Sequence, residues 1–272
     1  MRLSAQLFKR TASAACLSVG LLMAGIASAT TVQFQTVLGD IEVNLFDKTT
    51  PKTVENFLAY VKAEAYKNTI IHRSVAGFVV QGGGYSYNGT SLVAISQNQK
   101  VINEPVYSNL RGTIAMAKLG NDANSATNQW FFNLSDNSAN LDTQNGGFTV
   151  FGQVSGNGMA IIDAVAALNR FNMDNGGALG SIPLRNYTAT DSANKVPVTG
   201  DHLVLIENIV VLNADPDTAA NLNPTKNTRI TQKDDDTDNG KGGGGGGGSM
   251  GLIGLLMLGM LALGRKSLLN RK

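Results

Sequence analysis

Cysteine and histidine are almost absent from this sequence, and their scarcity narrows the chemistry that the chain can carry. The 272 residues include one cysteine, Cys16, and two histidines, His72 and His202. A closed zinc site uses about four Cys, His or carboxylate ligands, so such a site is not expected. The sequence also lacks a G-x-S-x-G motif, and its glycine run at 82–84 does not have the G-x-G-x-x-G spacing of dinucleotide-binding loops. We therefore expect a protein that uses neither a metal nor a cofactor.

The first 29 residues predict a secretory signal peptide. Three basic residues and no acid precede an apolar run at 14–26, and the small residues Ala-Ser-Ala that follow form an A-x-A cleavage signature. Cleavage is expected after Ala29. An uncleaved membrane anchor is the alternative, but the run is shorter than the roughly 20 residues of a membrane span. Cys16 lies in this segment, so the mature chain would contain no cysteine.

The C-terminal region has three parts that together predict a sorting signal. Glycines at 242–248 precede an apolar run at 250–264, and the basic stretch RKSLLNRK follows. The arrangement resembles the GlyGly-CTERM signal of Gram-negative bacteria, in which a rhomboid-type protease cuts near the glycines. The resemblance implies transient membrane association, with signal peptidase and this protease as partners, and a final location in the periplasm, at the cell surface or outside the cell. The alternative is a permanent C-terminal anchor on a flexible glycine linker.

The formal charge of +2 is a property of the two ends of the chain. Three of the 22 basic residues lie in the first 29 positions and four lie in the final eight, whereas all 20 acids lie between these segments. The intervening part is therefore acidic. No nucleic acid is expected as a partner.

Residues 30–212 form one domain-sized segment in which short strands predominate. The stretch VQFQTVLGDIEVNLF alternates on both sides of a turn at 38–40, which predicts two strands. The segment TTPKTVENFLAYVKAEAY predicts a helix with Thr50 as its N-cap and Pro51 at its first position, and a second helix is predicted at 159–168. Further strands are predicted at 70–72, 77–81, 113–117, 129–134, 149–154 and 202–212. Many short strands with two helices indicate an all-β barrel or sandwich.

Two segments are predicted to lack regular structure. Residues 169–200 are polar and weakly patterned, which favours a long surface loop. Residues 213–241 are rich in Asn, Asp, Thr and Lys and have little to bury, which predicts a disordered linker.

Arg73 and Gln81 stand out within IHRSVAGFVVQGGGY, a stretch that is otherwise largely apolar and contains three consecutive glycines. An arginine is rarely placed in an apolar setting unless it is paired or has a function. These two residues are therefore candidates for a functional site.

Four motifs occur in order along the chain: IHRSVAGFVVQGGG, RGTIAMAK, SATNQWFFNLSDN and FTVFGQV. Together they resemble those of the cyclophilin-type peptidyl-prolyl cis-trans isomerases, particularly the bacterial periplasmic members. The resemblance extends from residue 31 to about residue 212. It implies an eight-stranded antiparallel barrel capped by two α-helices, which is an all-β-dominated fold with a substrate groove on one outer face. It also implies a monomeric, cofactor-free enzyme that rotates X–Pro bonds and assists the folding of exported proteins.

The resemblance carries over to nine residues of this sequence. Arg73 matches the catalytic arginine, and Gln81 matches the residue that orients it and contacts the substrate backbone. The substrate-binding positions, for the proline ring or for the flanking peptide, are Phe78, Val79, Ala117, Gln129, Phe131, Leu141 and Phe148. Phe148 stands where the family often has His or Tyr, which implies a more apolar pocket wall.

Other interpretations of the same residues remain open at this stage. A non-catalytic module or a chaperone could use such a groove to hold proline-containing segments, although the complete set of Arg73, Gln81 and Phe131 favours catalysis. His72 is expected to be structural, because isomerisation requires no proton transfer. Trp130 alternates away from Phe131 and is expected to pack in the core.

Overall fold

The computed structural model describes residues 30–215 and 222–230. The predicted signal peptide, the predicted C-terminal sorting signal and part of the predicted linker lie outside the described residues. None of the helices formed by the described residues is long and apolar enough to cross a membrane.

The described chain forms many short strands and few helices, as predicted. The strands are β1 (Thr31–Thr36), β2 (Gly39–Leu45), β3 (Thr69–Ile70), β4 (Arg73–Val75), β5 (Val79–Gly82), β6 (Tyr85–Tyr87), β7 (Leu92–Ala94), β8 (Thr113–Met116), β9 (Trp130–Asn133), β10 (Val150–Ser155), β11 (Asn169–Phe171), β12 (Ile182–Leu184) and β13 (Leu205–Asn213). The helices are α1 (Pro51–Lys62), α2 (Ser138–Leu141), α3 (Gly158–Ala167) and α4 (Ala189–Ala193), with a short 3₁₀ helix at Gln144–Gly146.

Eleven of these strands form one antiparallel sheet, in the order β4-β5-β9-β8-β10-β2-β1-β13-β3-β6-β7. Strand β4 is first in this order and β3 is ninth, but only Ile71 and His72 separate them in the chain. The sheet must therefore curl so that β3 and β4 lie close together. The predicted all-β-dominated antiparallel barrel is confirmed as a mostly β, curled antiparallel sheet with few helices, but the strand count differs from the predicted eight. The difference arises because β3 and β4 divide one stretch of chain and because the β6–β7 hairpin extends the sheet.

The core lies inside the curled sheet and under the two longer helices. Apolar residues alternate along β1 and β2, and Val32, Phe34 and Val43 have no exposed surface. Phe34 packs edge-on against Trp130, with ring centroids 5.0 Å apart. Helix α1 adds Phe57, whose ring lies 6.0 Å from that of Phe34. Burial of these large side chains drives the sheet to close around them.

The start of α1 is stabilised by a residue that the sequence analysis did not identify. Thr50 is the N-cap residue as predicted, but its hydroxyl donates to the carbonyl of Phe46 at 3.2 Å instead of capping the helix. The carboxylate of Glu104 accepts hydrogen bonds from the backbone N–H groups of Lys52 and Thr53, at 3.2 and 2.9 Å. A carboxylate at this end also interacts favourably with the helix dipole.

The prediction of a long surface loop at 169–200 is wrong, because this segment contains β11, β12 and α4. Ile182, Leu184 and Tyr187 are buried and pack with Ile70 and Leu203 in a separate apolar cluster. Sequence patterning did not reveal these elements because each is only three to five residues long.

The prediction of a disordered linker at 213–241 does not hold for residues 222–230. This segment pairs with residues 106–108 through an antiparallel bridge between Tyr107 and Lys226. Its contacts are mainly backbone hydrogen bonds, which leave no signal in the composition of a polar sequence. Residues 216–221 and 231–241 lie outside the described residues.

Candidate active site

The register of neighbouring strands places the predicted site residues on one face of the sheet. Arg73 of β4 pairs with Gln81 of β5, which in turn pairs with Phe131 of β9. The adjacent residues Val80 and Phe132 also pair with each other. Since successive side chains of a strand point to opposite faces, Val80 and Phe132 enter the central core while Phe131 joins a second apolar cluster.

Three polar side chains form a hydrogen-bonded chain on this face. Nη1 of Arg73 donates to Oε1 of Gln81 at 3.0 Å, and Nε2 of Gln81 donates to Oε1 of Gln129 at 2.9 Å. All three residues are at most 8% exposed. The Arg73 guanidinium is thus held by the neutral amide of Gln81, which is in turn held by the amide of Gln129.

Arg73 retains hydrogen-bonding capacity that the described protein does not use. Its Nε and Nη2 are buried without a hydrogen-bond partner, and no ion pair with a carboxylate is found for it in residues 30–215 and 222–230. Burial lowers the pKa of Arg73 to about 10, so the side chain remains charged at neutral pH. A buried cation with free donors is costly to maintain and is suited to stabilise charge on a ligand.

His72 lies next to this cation and is neutral. Burial is the main cause that lowers its pKa to about 3, and the charge of Arg73 lowers it further. Its ring meets that of Tyr85 edge-on, with centroids 5.3 Å apart. His72 is therefore not a proton donor at physiological pH.

The apolar part of the site is a cluster beside the polar chain. Phe131 and Phe148 form its centre, with ring centroids 5.9 Å apart and an interplanar angle of 70°. The backbone N–H of Phe148 donates to the carbonyl of Leu141 at 2.8 Å, which ties the two ends of the loop between them. The predicted positions found in or against this cluster are Phe78, Val79, Ala117, Phe131, Leu141 and Phe148. Together with the polar chain, all nine predicted site residues lie in one continuous region.

Trp130 lies in the central core and not in the site. It has no exposed surface, and its ring packs edge-on against Phe34 and Phe132 at 5.0 and 5.3 Å. This position follows directly from strand alternation with Phe131.

Lys118 is a site residue that the sequence analysis did not identify. It is 4% exposed, its Nζ donates to the carbonyls of Asn145 and Gly147 at 2.8 and 2.6 Å, and it lies 4.7 Å from the centroid of the Phe148 ring. Burial lowers its pKa to about 8, an effect that Asp122 partly opposes. The motif RGTIAMAK ends at Lys118, but a terminal lysine gives no indication that its ammonium is buried against a loop.

Residues 169–200, which were predicted to be a loop, also support the strand that carries Arg73. The backbone N–H of Ser74, next to Arg73 on β4, donates to the carbonyl of Ser181 at 2.8 Å, and the Ser181 hydroxyl donates to the carbonyl of Ser74 at 2.6 Å. These bonds cover the edge of β4 that does not face β5. The strand that carries Arg73 is thereby held on both sides.

Replacing Gln81 by alanine is expected to reduce the turnover of any reaction that needs an oriented Arg73. The substitution removes a charge-assisted bond worth about 1.5–3 kcal/mol, which corresponds to a loss of about ten- to a hundredfold in rate. The measurement is kcat/KM beside the thermal unfolding midpoint, with the exposed Gln99→Ala as control. Unchanged activity in a folded Gln81 variant would contradict the orienting role.

Comparison with protein families identifies one that covers this site. Residues 31–185 match the family model described as cyclophilin type peptidyl-prolyl cis-trans isomerase/CLD. The matched range contains all nine predicted site residues. It ends before β13 and before residues 222–230.

Individual relatives agree with this match. The chain is 38% identical over 149 residues to a peptidyl-prolyl cis-trans isomerase of Acinetobacter baylyi, covering 54% of this chain and 78% of that protein. It is 39% identical over 155 residues to peptidyl-prolyl cis-trans isomerase A of Dickeya dadantii, covering 54% and 76%. A solved cyclophilin-type isomerase of Cryptosporidium parvum aligns with a TM-score of 0.48 and 23% identity, over 68% of this chain and 98% of that chain.

Proposed function

The chain belongs to the cyclophilin-type peptidyl-prolyl cis-trans isomerases and catalyses rotation about X–Pro peptide bonds; on this premise we propose that Arg73 lowers the rotational barrier and that the cluster around Phe131 binds the proline ring. The observation that carries the proposal is that Arg73 is 4% exposed while its Nε and Nη2 have no hydrogen-bond partner among the described residues. The described residues thus leave this hydrogen-bonding capacity unused.

The chemistry of the peptide bond explains why a guanidinium is sufficient. Amide resonance produces a barrier of about 18–20 kcal/mol to rotation. Rotation breaks this resonance and returns a lone pair to the proline nitrogen. Arg73 can donate a hydrogen bond to that lone pair, which is available in the twisted state and not in the planar one. The interaction therefore favours the transition state over either ground state.

The neighbouring residues divide the remaining tasks. Phe131, Phe148 and Leu141 form one apolar cluster beside the cation, and in this proposal the cluster opens to receive the proline ring, since each of the three is at most 1% exposed. Gln81 orients the guanidinium, and Gln129 completes the polar row along which the peptide backbone would lie. None of these steps requires proton transfer, which is consistent with a neutral His72.

Acceleration of the cis-to-trans relaxation of a short X–Pro peptide tests this arrangement. The uncatalysed step takes tens to hundreds of seconds at 25 °C, so a catalytic effect is easily resolved. A folded protein that binds the peptide without accelerating it would contradict the proposed roles and support a binding module.

We further propose that the enzyme acts on exported polypeptides outside the cytoplasm. The support is sequence-based: the A-x-A signature ending at Ala29, and the glycine run, apolar run and basic stretch of residues 242–272. Signal peptidase and a rhomboid-type protease are the proposed processing partners, with transient membrane association before the second cut.

The intact mass of the protein recovered from a Gram-negative host tests the export proposal. We expect a species that lacks residues 1–29 and the segment after the glycine run. A mass that retains the C-terminal segment would indicate a permanent anchor, and a full-length mass would contradict export through a cleaved signal peptide.

A further inference from the structure

Residues 222–230, which we call the strap, lie against the domain beyond the end of β13. The backbone N–H of Ser108 donates to the carbonyl of Thr225, and that of Asn227 donates to the carbonyl of Val106, both at 2.9 Å. Leu222 packs against the apolar cluster that contains Phe131 and Phe148. The strap is therefore attached to the domain by backbone pairing at its centre and by an apolar contact at its start.

Asn227 is the strap residue that reaches the loop behind the proline pocket. It is 8% exposed, and its Nδ2 donates to the carbonyl of Asp142 at 2.9 Å. Its Oδ1 accepts hydrogen bonds from the backbone N–H groups of Arg229 and Ile230, at 2.9 and 3.3 Å. The two ends of this amide thus have separate roles: the oxygen shapes the strap, and the nitrogen joins the strap to the loop.

The loop at 142–147 connects Leu141 to Phe148, two side chains of the apolar pocket. Asn109 holds it from within the domain, since its Nδ2 donates to Oδ1 of Asp142 at 3.0 Å and to the carbonyl of Phe148 at 3.1 Å. Lys118 holds the far end through two carbonyls. The bond from Asn227 is the contact made by the strap at the beginning of the same loop.

The Ile230 side chain reaches the other end of the loop. A methyl group placed at Gly147 would lie 3.0 Å from Cδ1 of Ile230 and 2.7 Å from the carbonyl oxygen of Asp142. The strap therefore closely approaches both ends of the loop. A shift of the strap would move the backbone on which Leu141 and Phe148 are mounted.

We propose that Asn227 is a positioning residue for the proline pocket, acting through the Asp142 carbonyl on the loop that sets the spacing of Leu141 and Phe148. This inference rests on the proposed role of that pocket in binding proline. The family match ends at residue 185, so it assigns no role to the strap. The expected consequence is weaker binding of the proline-containing peptide, with little effect on the step that Arg73 performs.

Two matched substitutions in the full chain test the inference. Asn227→Asp keeps an oxygen that accepts from Arg229 and Ile230 but removes the donor to Asp142. Asn223→Asp makes the same chemical change at an exposed position of the same strap. We expect Asn227→Asp to raise KM for an X–Pro peptide about two- to tenfold, the range for loss of one hydrogen bond, with kcat nearly unchanged and Asn223→Asp close to wild type.

Amide hydrogen exchange at Phe148 provides the readout that a purely structural role would not give. Its N–H bonds to Leu141 across the loop, so a loosened loop should expose this amide selectively. We expect faster exchange at Phe148 in Asn227→Asp while amides of β1 and β13 keep their protection. Asn227→Ala, which adds no charge, should give the same pattern.

Four outcomes would be decisive. A KM raised above that of the wild type, with faster amide exchange confined to Phe148, supports the inference. Equal KM values in the Asn227 and Asn223 variants, or a lower unfolding temperature with unchanged KM and uniformly faster exchange, would overturn it. A wild-type chain that does not accelerate isomerisation would instead contradict the proposed function, which separates the two failures.

Discussion

Replacing Arg73 by alanine is expected to lower kcat/KM for X–Pro isomerisation by about 10²–10³-fold, the range found when a single preorganised donor is removed from a catalytic site. The loss should be large because Arg73 is the cation whose Nε and Nη2 are buried and unpartnered within the part of the chain that the structure describes. Stability should change much less. The lost charge-assisted bond to Gln81 contributes about 1.5–3 kcal/mol, and removing a buried, incompletely paired charge offsets part of that loss.

The activity of Arg73→Ala is measured beside Arg73→Lys and Arg170→Ala. Lysine keeps the charge but not the planar fork of donors, so it should recover only part of the rate. Arg170 is exposed and donates to the carbonyl of Ala166, so its replacement controls for the loss of an arginine elsewhere. Full activity in a folded Arg73→Ala protein would remove Arg73 from the mechanism.

Replacing Phe131 or Phe132 by alanine is expected to reduce the free energy of unfolding by a similar amount but to affect catalysis very differently. Both side chains are at most 1% exposed, and truncating a buried Phe costs about 3–5 kcal/mol. Phe132 packs with Phe34 and Trp130 in the central core. Phe131 packs with Phe148 in the proposed proline pocket. Only Phe131→Ala should therefore alter the proposed proline pocket.

The comparison requires denaturant unfolding of both variants and kcat/KM at a temperature where both are folded. We expect Phe132→Ala to retain most of the wild-type activity and Phe131→Ala to lose the larger part of it through a raised KM. Equal losses of activity would mean that the pocket is not at Phe131, or that a core change is transmitted to the site. Either explanation would contradict the expectation that the two faces of β9 have separate effects on catalysis.

The features that were predicted from the sequence are those with a local pattern. Alternation along β1 and β2, Pro51 at the start of α1 and the opposite orientations of Trp130 and Phe131 follow from periods of two or from the fixed geometry of proline. The motifs around Arg73 and Gln81 predicted the candidate site through their resemblance to a family. The structure brings together all nine residues that the resemblance assigned to it.

The features that were missed depend on contacts between distant parts of the chain. Glu104 caps α1 from a position 51 residues away from Thr53, and no local pattern indicates such a partner. Lys118 resembles an ordinary surface lysine until its ammonium is found on the carbonyls of Asn145 and Gly147. The apolar cluster of Ile182 and Leu184 lies in elements too short to show a period.

The sequence by itself indicated which residues belong to the candidate site, because the motifs that carry the family resemblance are written along the chain. It also predicts a signal peptide and a sorting signal at its two ends. Only the tertiary structure decided how the site is held: by Lys118 and Asn109 from within the domain, and by Asn227 of the strap from outside. The physical reason is that every residue has a backbone carbonyl, so the identity of a residue does not show which donor its carbonyl will meet. That partner depends on how distant parts of the chain fold together. A composition that predicted a disordered linker therefore concealed a segment that packs behind the proposed proline pocket.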